Sequence, residues 1–364
     1  MENIQLTGFT VEYPGRIAFA YNPYGISIYG DTTKPIDVKI TDTLSNKSYS
    51  ESRYVYNGKC YFDFSPYFQA MFDPTEANRI DYNQPANSSL CRAFEIEINC
   101  PRIPGDVGGT YSTAITVDVI WGAMEVGETF NGNRELTWFR NYPFTIGVYT
   151  AGATELRTQA DGRDTAPIHI PSQGIWNVPV TLPANRNVIY YLPEKILEQS
   201  VWDMTFDYTF HKASNKPSLV TCVVDDSDCG IYLRWINRHG FHCYWLFARG
   251  EESHKIKNEG EFLRNNMASP QFVGGYHGGT GRKQLKSKEN TIDIAAPLVN
   301  QKTYDYLSDL LVSPIVDLYC GRSPEDIPQW LGVNIEADNV RKSSKPLQNF
   351  VATLILPETR VPGL

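Results

Sequence analysis

The stretch "YLRWINRHGFHCYWLF", residues 232–247, decides how this chain is read, because it packs two Trp, two Tyr, two His, two Arg and one Cys into sixteen positions. Those residue types suit three different objects: a metal or catalytic centre, a sugar-stacking platform, or the spine of a sheet. Ile231, Leu233 and Trp235 alternate with Tyr232, Arg234 and Ile236. After Asn237-Arg238-His239-Gly240 the alternation resumes, with Cys243, Trp245 and Phe247 against Tyr244 and Leu246. A period of two marks a strand, whose side chains point to opposite faces, and Gly240 can take the positive φ that a tight turn asks for. The expected object is a hairpin, its arms packed through cross-strand pairs that contribute roughly 0.2–1 kcal/mol each. Within it Arg234, Asn237, Arg238, His239 and His242 are the candidates for touching a partner.

Zinc is the sharper alternative, since Cys222, Cys229, His239, His242 and Cys243 offer the thiolate and imidazole ligands it prefers. The spacer between Cys222 and Cys229 exceeds a knuckle spacing, however, and His242 and Cys243, adjacent in a strand, point to opposite faces. Asp225, Asp226 and Asp228 in "VDDSDCG" lack the alternating carboxylates, fixed glycine and closing Glu of a calcium loop. The glycine-rich "GGYHGGTGRK" (274–283) has no Gly-Lys-Ser/Thr ending and reads as a loop. No nucleophile elbow or metalloprotease helix is present, and among 41 acidic residues the sequence singles out no facing carboxylate pair of glycosidase type. The expectation is a chain with no catalytic residue, no cofactor and no metal.

Outward from the hairpin the period of two persists. Ile36, Val38 and Ile40 face away from Asp37 and Lys39; Phe94, Ile96 and Ile98 face away from Glu95 and Glu97; Ile115, Val117, Val119 and Trp121 form a third such row. Each reads as a strand with one dry face, which predicts a mainly β chain of antiparallel sandwich or barrel-like domains. The 22 Tyr, 27 Gly and 23 Pro of its 364 residues agree with strands and turns. Helices are expected at "SPYFQAMF", capped by Ser65 with Pro66 in the first turn, at Pro193, and at "TYDYLSDLL". Alternation fades between 151 and 187. This places a first domain at 1–150, a linker or docking loop at 151–187 and a second β-rich domain at 188–364.

A net charge of −8 disfavours nucleic acid and acidic membranes, and the cationic "GRKQLKSK" (281–288) reads as a solvated loop. No run approaches the ~20 apolar residues of a membrane span, and no signal sequence opens the chain, so its seven cysteines are expected as reduced thiols of a protein made in the cytoplasm. Trp121, Trp138, Trp176, Trp202, Trp245 and Trp330 are candidate sugar-stacking faces, but most lie in alternating strands, where Trp fills core.

The blocks "FAYNPYGISIYG", "YFDFSPYFQAMF", "VIWGAMEVGETF", "LTWFRNYPFTIGVYT", "YLRWINRHGFHCYWLF" and "LSDLLVSPIVDLY" resemble recurrent blocks in virion proteins of tailed bacteriophages and prophages of Bacteroidetes. The layout of 307–356 is similar to distal-tail and baseplate adaptor proteins. That resemblance implies a non-enzymatic virion subunit, partnered by other virion proteins in a homo-oligomeric ring; a host-glycan binder on the same particle is the alternative. Long loops at 73–90, 101–109, 151–187 and 249–290 suit subunit contacts. Trp176, Phe262, Phe272 and Tyr276, apolar residues in polar surroundings, join the hairpin residues as candidate partner contacts.

Overall fold

The computed structural model describes residues 1–72, 80–101, 110–192, 197–201, 208–211, 218–258, 261–262, 282–283, 286–336, 345–357 and 359–360. The chain is mainly β and divides into two compact units: Met1–Ser227 with Ile236–Cys243, and Asp228–Trp235 with Tyr244–Leu364.

In the first unit a five-stranded sheet runs in the order Ile17–Phe19, Thr110–Ile120, Cys91–Pro101, Ile36–Asp42, Ser48–Arg53. Its register turns the sequence alternation into rows: Ile40 lies opposite Ile96, which lies opposite Ile115, and all three are buried. On the other face Lys39 lies opposite Glu97, with Nζ 3.9 Å from the carboxylate. A four-stranded sheet has the order Glu2–Leu6, Phe9–Tyr13, Gly25–Gly30, Lys59–Asp63. The helix Ser65–Met71 buries Phe68, whose ring packs on Tyr24 (5.6 Å) and Phe94 (5.2 Å). Pro66 sits in its first turn as expected, but Ser65 is not its cap. The Ser65 amide and hydroxyl both donate to Asp63, two residues upstream, and the cap position is Phe64.

The segment 151–187, read as a linker, is sheet instead. It carries the strands Thr154–Ala160, Arg163–Asp164, Ile168–Ile170 and Gly174–Pro179, and the first unit runs on to Ser227. The missed signal is Asp161-Gly162, both at positive φ (48° and 78°), a dipeptide suited to a two-residue hairpin. Its flanks are polar because only Leu156, Thr158 and Ala160 turn inward. Among the described residues antiparallel pairing dominates, with two parallel exceptions, Ile17–Phe19 with Thr110–Ile120 and Arg134–Phe139 with Ser218–Asp225. The helix expected at Pro193 begins outside the described residues, and Leu197–Val201 is a strand.

The second unit is a closed six-strand barrel. Around the ring lie His242–Asn258, Ile231–Ile236, Val316–Arg322, Pro328–Glu336, Leu347–Ile355 and Lys286–Asn300, which pairs back with His242–Asn258. The expected second helix, Gln301–Val312, packs against it through Tyr304, Leu307 and Leu310, with Asn300 Oδ1 accepting the Thr303 amide at 2.9 Å as its cap. The Tyr306 hydroxyl accepts from the Tyr244 amide (2.8 Å) and donates to the Tyr244 carbonyl (3.1 Å), serving a strand residue as a neighbouring strand would. The polar stretch 249–290, read as a loop, starts and ends as paired strand: His254 lies opposite Asn290 and Ile256 opposite Lys288. Apolar alternation was absent there because the strand faces water on both sides.

Candidate interaction surfaces

The hairpin is real and its tip is internal. Asn237 and Phe241 close the turn through an amide-to-carbonyl bond of 2.9 Å, Asn237 Oδ1 accepts the amides of His239 and Phe241, and Gly240 has φ +74°. Ile236–Cys243 belongs to the first unit. There the Ala123 amide donates to the Arg238 carbonyl at 2.7 Å, and a Cβ on Gly122 would lie 2.1 Å from that oxygen. Phe241 stacks on Phe130 (5.4 Å, 10°) with the Arg134 guanidinium 4.5 Å from its centroid.

The residues expected to meet a partner are therefore largely spent inside the fold. Arg238 pairs with Glu125 (2.7 Å) and Glu128 (3.2 Å), and His239 Nε2 lies 3.4 Å from Glu128. Burial pushes the Glu128 carboxyl up, but His239, the Glu125 amide and Arg238 outweigh it and hold it below the usual range. Arg234 is buried, 2.8 Å from Asp317 and 4.3 Å from the Trp330 centroid. His242 is buried, and so is Trp176, whose Nε1 donates to the Ser172 carbonyl at 2.9 Å. Arg234 and Trp176 lie in strands buried on both faces, and Arg238 and His239 in a turn held against the first unit, so each takes a partner inside the fold. Phe262 lies in a short strand with its side chain outside the described residues, as Phe272 and Tyr276 are altogether.

Among the described residues no group of three or more His, Cys, Asp or Glu is placed to hold a metal ion. Cys222 is buried and Cys229 exposed, and burial pushes the Cys222 thiol up to about 12, far from a thiolate at neutral pH. Asp226 pairs with Arg140 (3.1 Å), and Asp225 accepts the Ser227 amide. Asp118, nearly buried, is pushed up by burial while accepting from the Tyr149 hydroxyl and Gln173. No helix among the described residues is long and apolar enough to cross a membrane.

The exposed surface has two features that the sequence reading passed over. The first is tyrosine on the outer face of the four-stranded sheet. Ile26, Ile28, Cys60 and Phe62 point inward, so Tyr29, Lys59 and Tyr61 point outward. Tyr54, Tyr56 and Tyr61 are 70%, 79% and 46% exposed. Tyr56 bridges Lys59 across a turn whose Asn57 and Gly58 both have positive φ. A Cβ on Gly25 would lie within 2.6 Å of two Tyr61 ring carbons and the Tyr61 hydroxyl oxygen, so glycine leaves the space over which that side chain lies. The second is the strand from Ala248 to Ile256, every residue of which is exposed. Beyond the last rung between Lys286–Asn300 and Leu347–Ile355, at Thr291, its pairing with Lys286–Asn290 continues as an arm, joined on the far side only by Thr359–Arg360 among the described residues.

No family model and no curated protein matches the chain. Among solved structures it is similar to a Salmonella enterica SafA pilin in complex with the SafB chaperone, at 10% identity and a TM-score of 0.19, over 58% of this chain and 95% of that one. It is also similar to a structure concerning host cell surface retention of a 1.5-MDa bacterial ice-binding adhesin, at 9% identity and a TM-score of 0.17, over 88% of this chain and 95% of that one. Scores this low carry no argument about function.

Proposed function

We propose that the chain is a non-enzymatic structural subunit of a tailed-phage particle, a tail or baseplate adaptor that works in the virion through contacts with copies of itself and with other virion proteins. The observation that carries this reading is the arm. Nine consecutive exposed residues, Ala248–Ile256, sit in a paired strand that continues past the barrel. An extension of two strands, joined only by the two residues Thr359–Arg360, is marginal in water, and a strand edge left open among the described residues is a template for another chain. Such an element suits a subunit whose neighbours cover it. The sequence resemblance supplies the particle, and the inward use of Arg234, Arg238 and His239 is what a building block without a reaction centre requires.

The test is composition and position. Purified particles should contain the chain in a fixed copy number, and cryo-electron microscopy with a tagged copy should place it at the tail end. Complete, infectious particles made without the gene would refute the proposal.

A further inference from the structure

We infer that the outer face of the four-stranded sheet, around Tyr29, Tyr56 and Tyr61, is a saccharide-binding platform. The inference goes beyond the assembly reading and does not depend on it. Its basis is the way the rings are set. Cross-strand register puts Tyr29 opposite Lys59 and Ser27 opposite Tyr61, and the Tyr56–Lys59 bridge carries the first row onward to Tyr56. Tyr61 reaches across to Gly25, the one outward position of that strand without a side chain, and so lies along the sheet while remaining 46% exposed. The Lys59 ammonium is 5.2 Å from the Tyr29 centroid.

The chemistry of the face selects the ligand class. Its apolar content is aromatic: the aliphatic residues of the Gly25–Gly30 strand, Ile26 and Ile28, are fully buried. The positions between the rings are polar, with Thr10 opposite Tyr29 and Glu12 opposite Ser27 on the neighbouring strand. A protein interface core is depleted of Lys, Glu and Ser, whereas here Lys59, Glu12 and Ser27 lie among the rings. A pyranose offers a patch of C–H bonds that lies on an aromatic ring and a rim of hydroxyls that needs hydrogen-bond partners, and rings alternating with Ser, Thr, Glu and Lys match both. Paired strands hold Tyr29 and Tyr61, and the bridged turn to Lys59 holds Tyr56, so little order has to be imposed on binding.

Affinity electrophoresis tests this on the full chain, in native gels cast with a β-1,4-glucan, a β-1,3-glucan, a mannan or a xylan. At least one polysaccharide should retard the protein. Tyr56→Ala and Tyr61→Ala should each weaken that retardation roughly 2- to 10-fold, the range expected for loss of one aromatic contact. Tyr61→Phe should keep it, and Gly25→Ala, which displaces the Tyr61 ring, should weaken it like Tyr61→Ala. Tyr49→Ala, on the other sheet, is the control. Migration unchanged by every polysaccharide, or retardation indifferent to Tyr56 and Tyr61, overturns the inference, and so does loss of a virion-protein contact in these variants without any glycan effect. Particle composition is untouched by either result, so the assembly proposal and this one fail separately.

Discussion

Removing the Phe241 ring tests whether the aromatic hairpin is a packed element. Phe241 is 2% exposed and belongs to a cluster with Phe19, Ile120, Met124, Phe130, Tyr149 and Ile175. Phe241→Ala forfeits the burial of a full aromatic side chain and leaves a cavity, which costs about 3–5 kcal/mol. The upper part of that range is expected here. Gly147 has no side chain with which to fill the gap, and both the stacked Phe130 and the Arg134 guanidinium lose the face they rest on. For a unit of this size each kcal/mol corresponds to roughly 2–4 °C, so about 4 kcal/mol lowers its melting temperature by about 8–16 °C. The two units need not melt together, so calorimetry should follow the first unit's transition. Arg238→Ala is the control: its ion pairs are partly exposed and worth under about 1 kcal/mol. A Phe241→Ala shift below about 3 °C would refute the packing argument.

Further outcomes follow from buried charge and from the thiols. Arg234→Met alone should destabilise the barrel by about 3–5 kcal/mol by stranding Asp317, and Arg234→Met with Asp317→Leu should recover most of that in urea titrations. Burial pushes the Asp42 carboxyl up, but Ser45, the Leu44 amide and Arg92 together hold it below the usual range. Because its native value lies below its unfolded one, near 3.9, its stabilisation is complete above that value and fades as pH falls through the native value. Asp42→Asn should therefore flatten the urea midpoint between about pH 4 and 2.5, and an unchanged slope would contradict the assignment. Of the seven cysteines, Cys229 and Cys320 should react first with an aromatic disulfide reagent in the native protein, with Cys222 silent until unfolding.

Legibility followed the physics of alternation. Where one face is dry, as at Ile36–Asp42 or Phe94–Ile98, the period of two names both the strand and its inward residues. The hairpin is legible for another reason: its arms are buried on both faces and rich in aromatic and aliphatic residues, and Gly240 marks the turn between them. Where both faces are wet, as from Arg249 to Ile256, or where a strand is short, as at Ile168–Ile170, the same rule is silent and sheet looks like loop. The closure of the barrel rests on pairing between Ala248 and Ala295, far apart in sequence, which no local pattern encodes. The candidate surface failed differently. Polar and basic residues at a predicted tip suggested exposure, yet that tip sits in the first unit, where Glu125, Glu128, Phe130 and Gly147 receive it. The tyrosines between Tyr54 and Tyr61 went unremarked because the flanking strand made them look like core.

The most direct measurement is hydrogen–deuterium exchange of the arm, His254–Asn258, in the isolated chain and in intact particles. If the chain works as a building block, these amides exchange fast alone and become strongly protected in the particle, while Ile231–Ile236 is protected in both. Equal, fast exchange of the arm in both states would contradict the account.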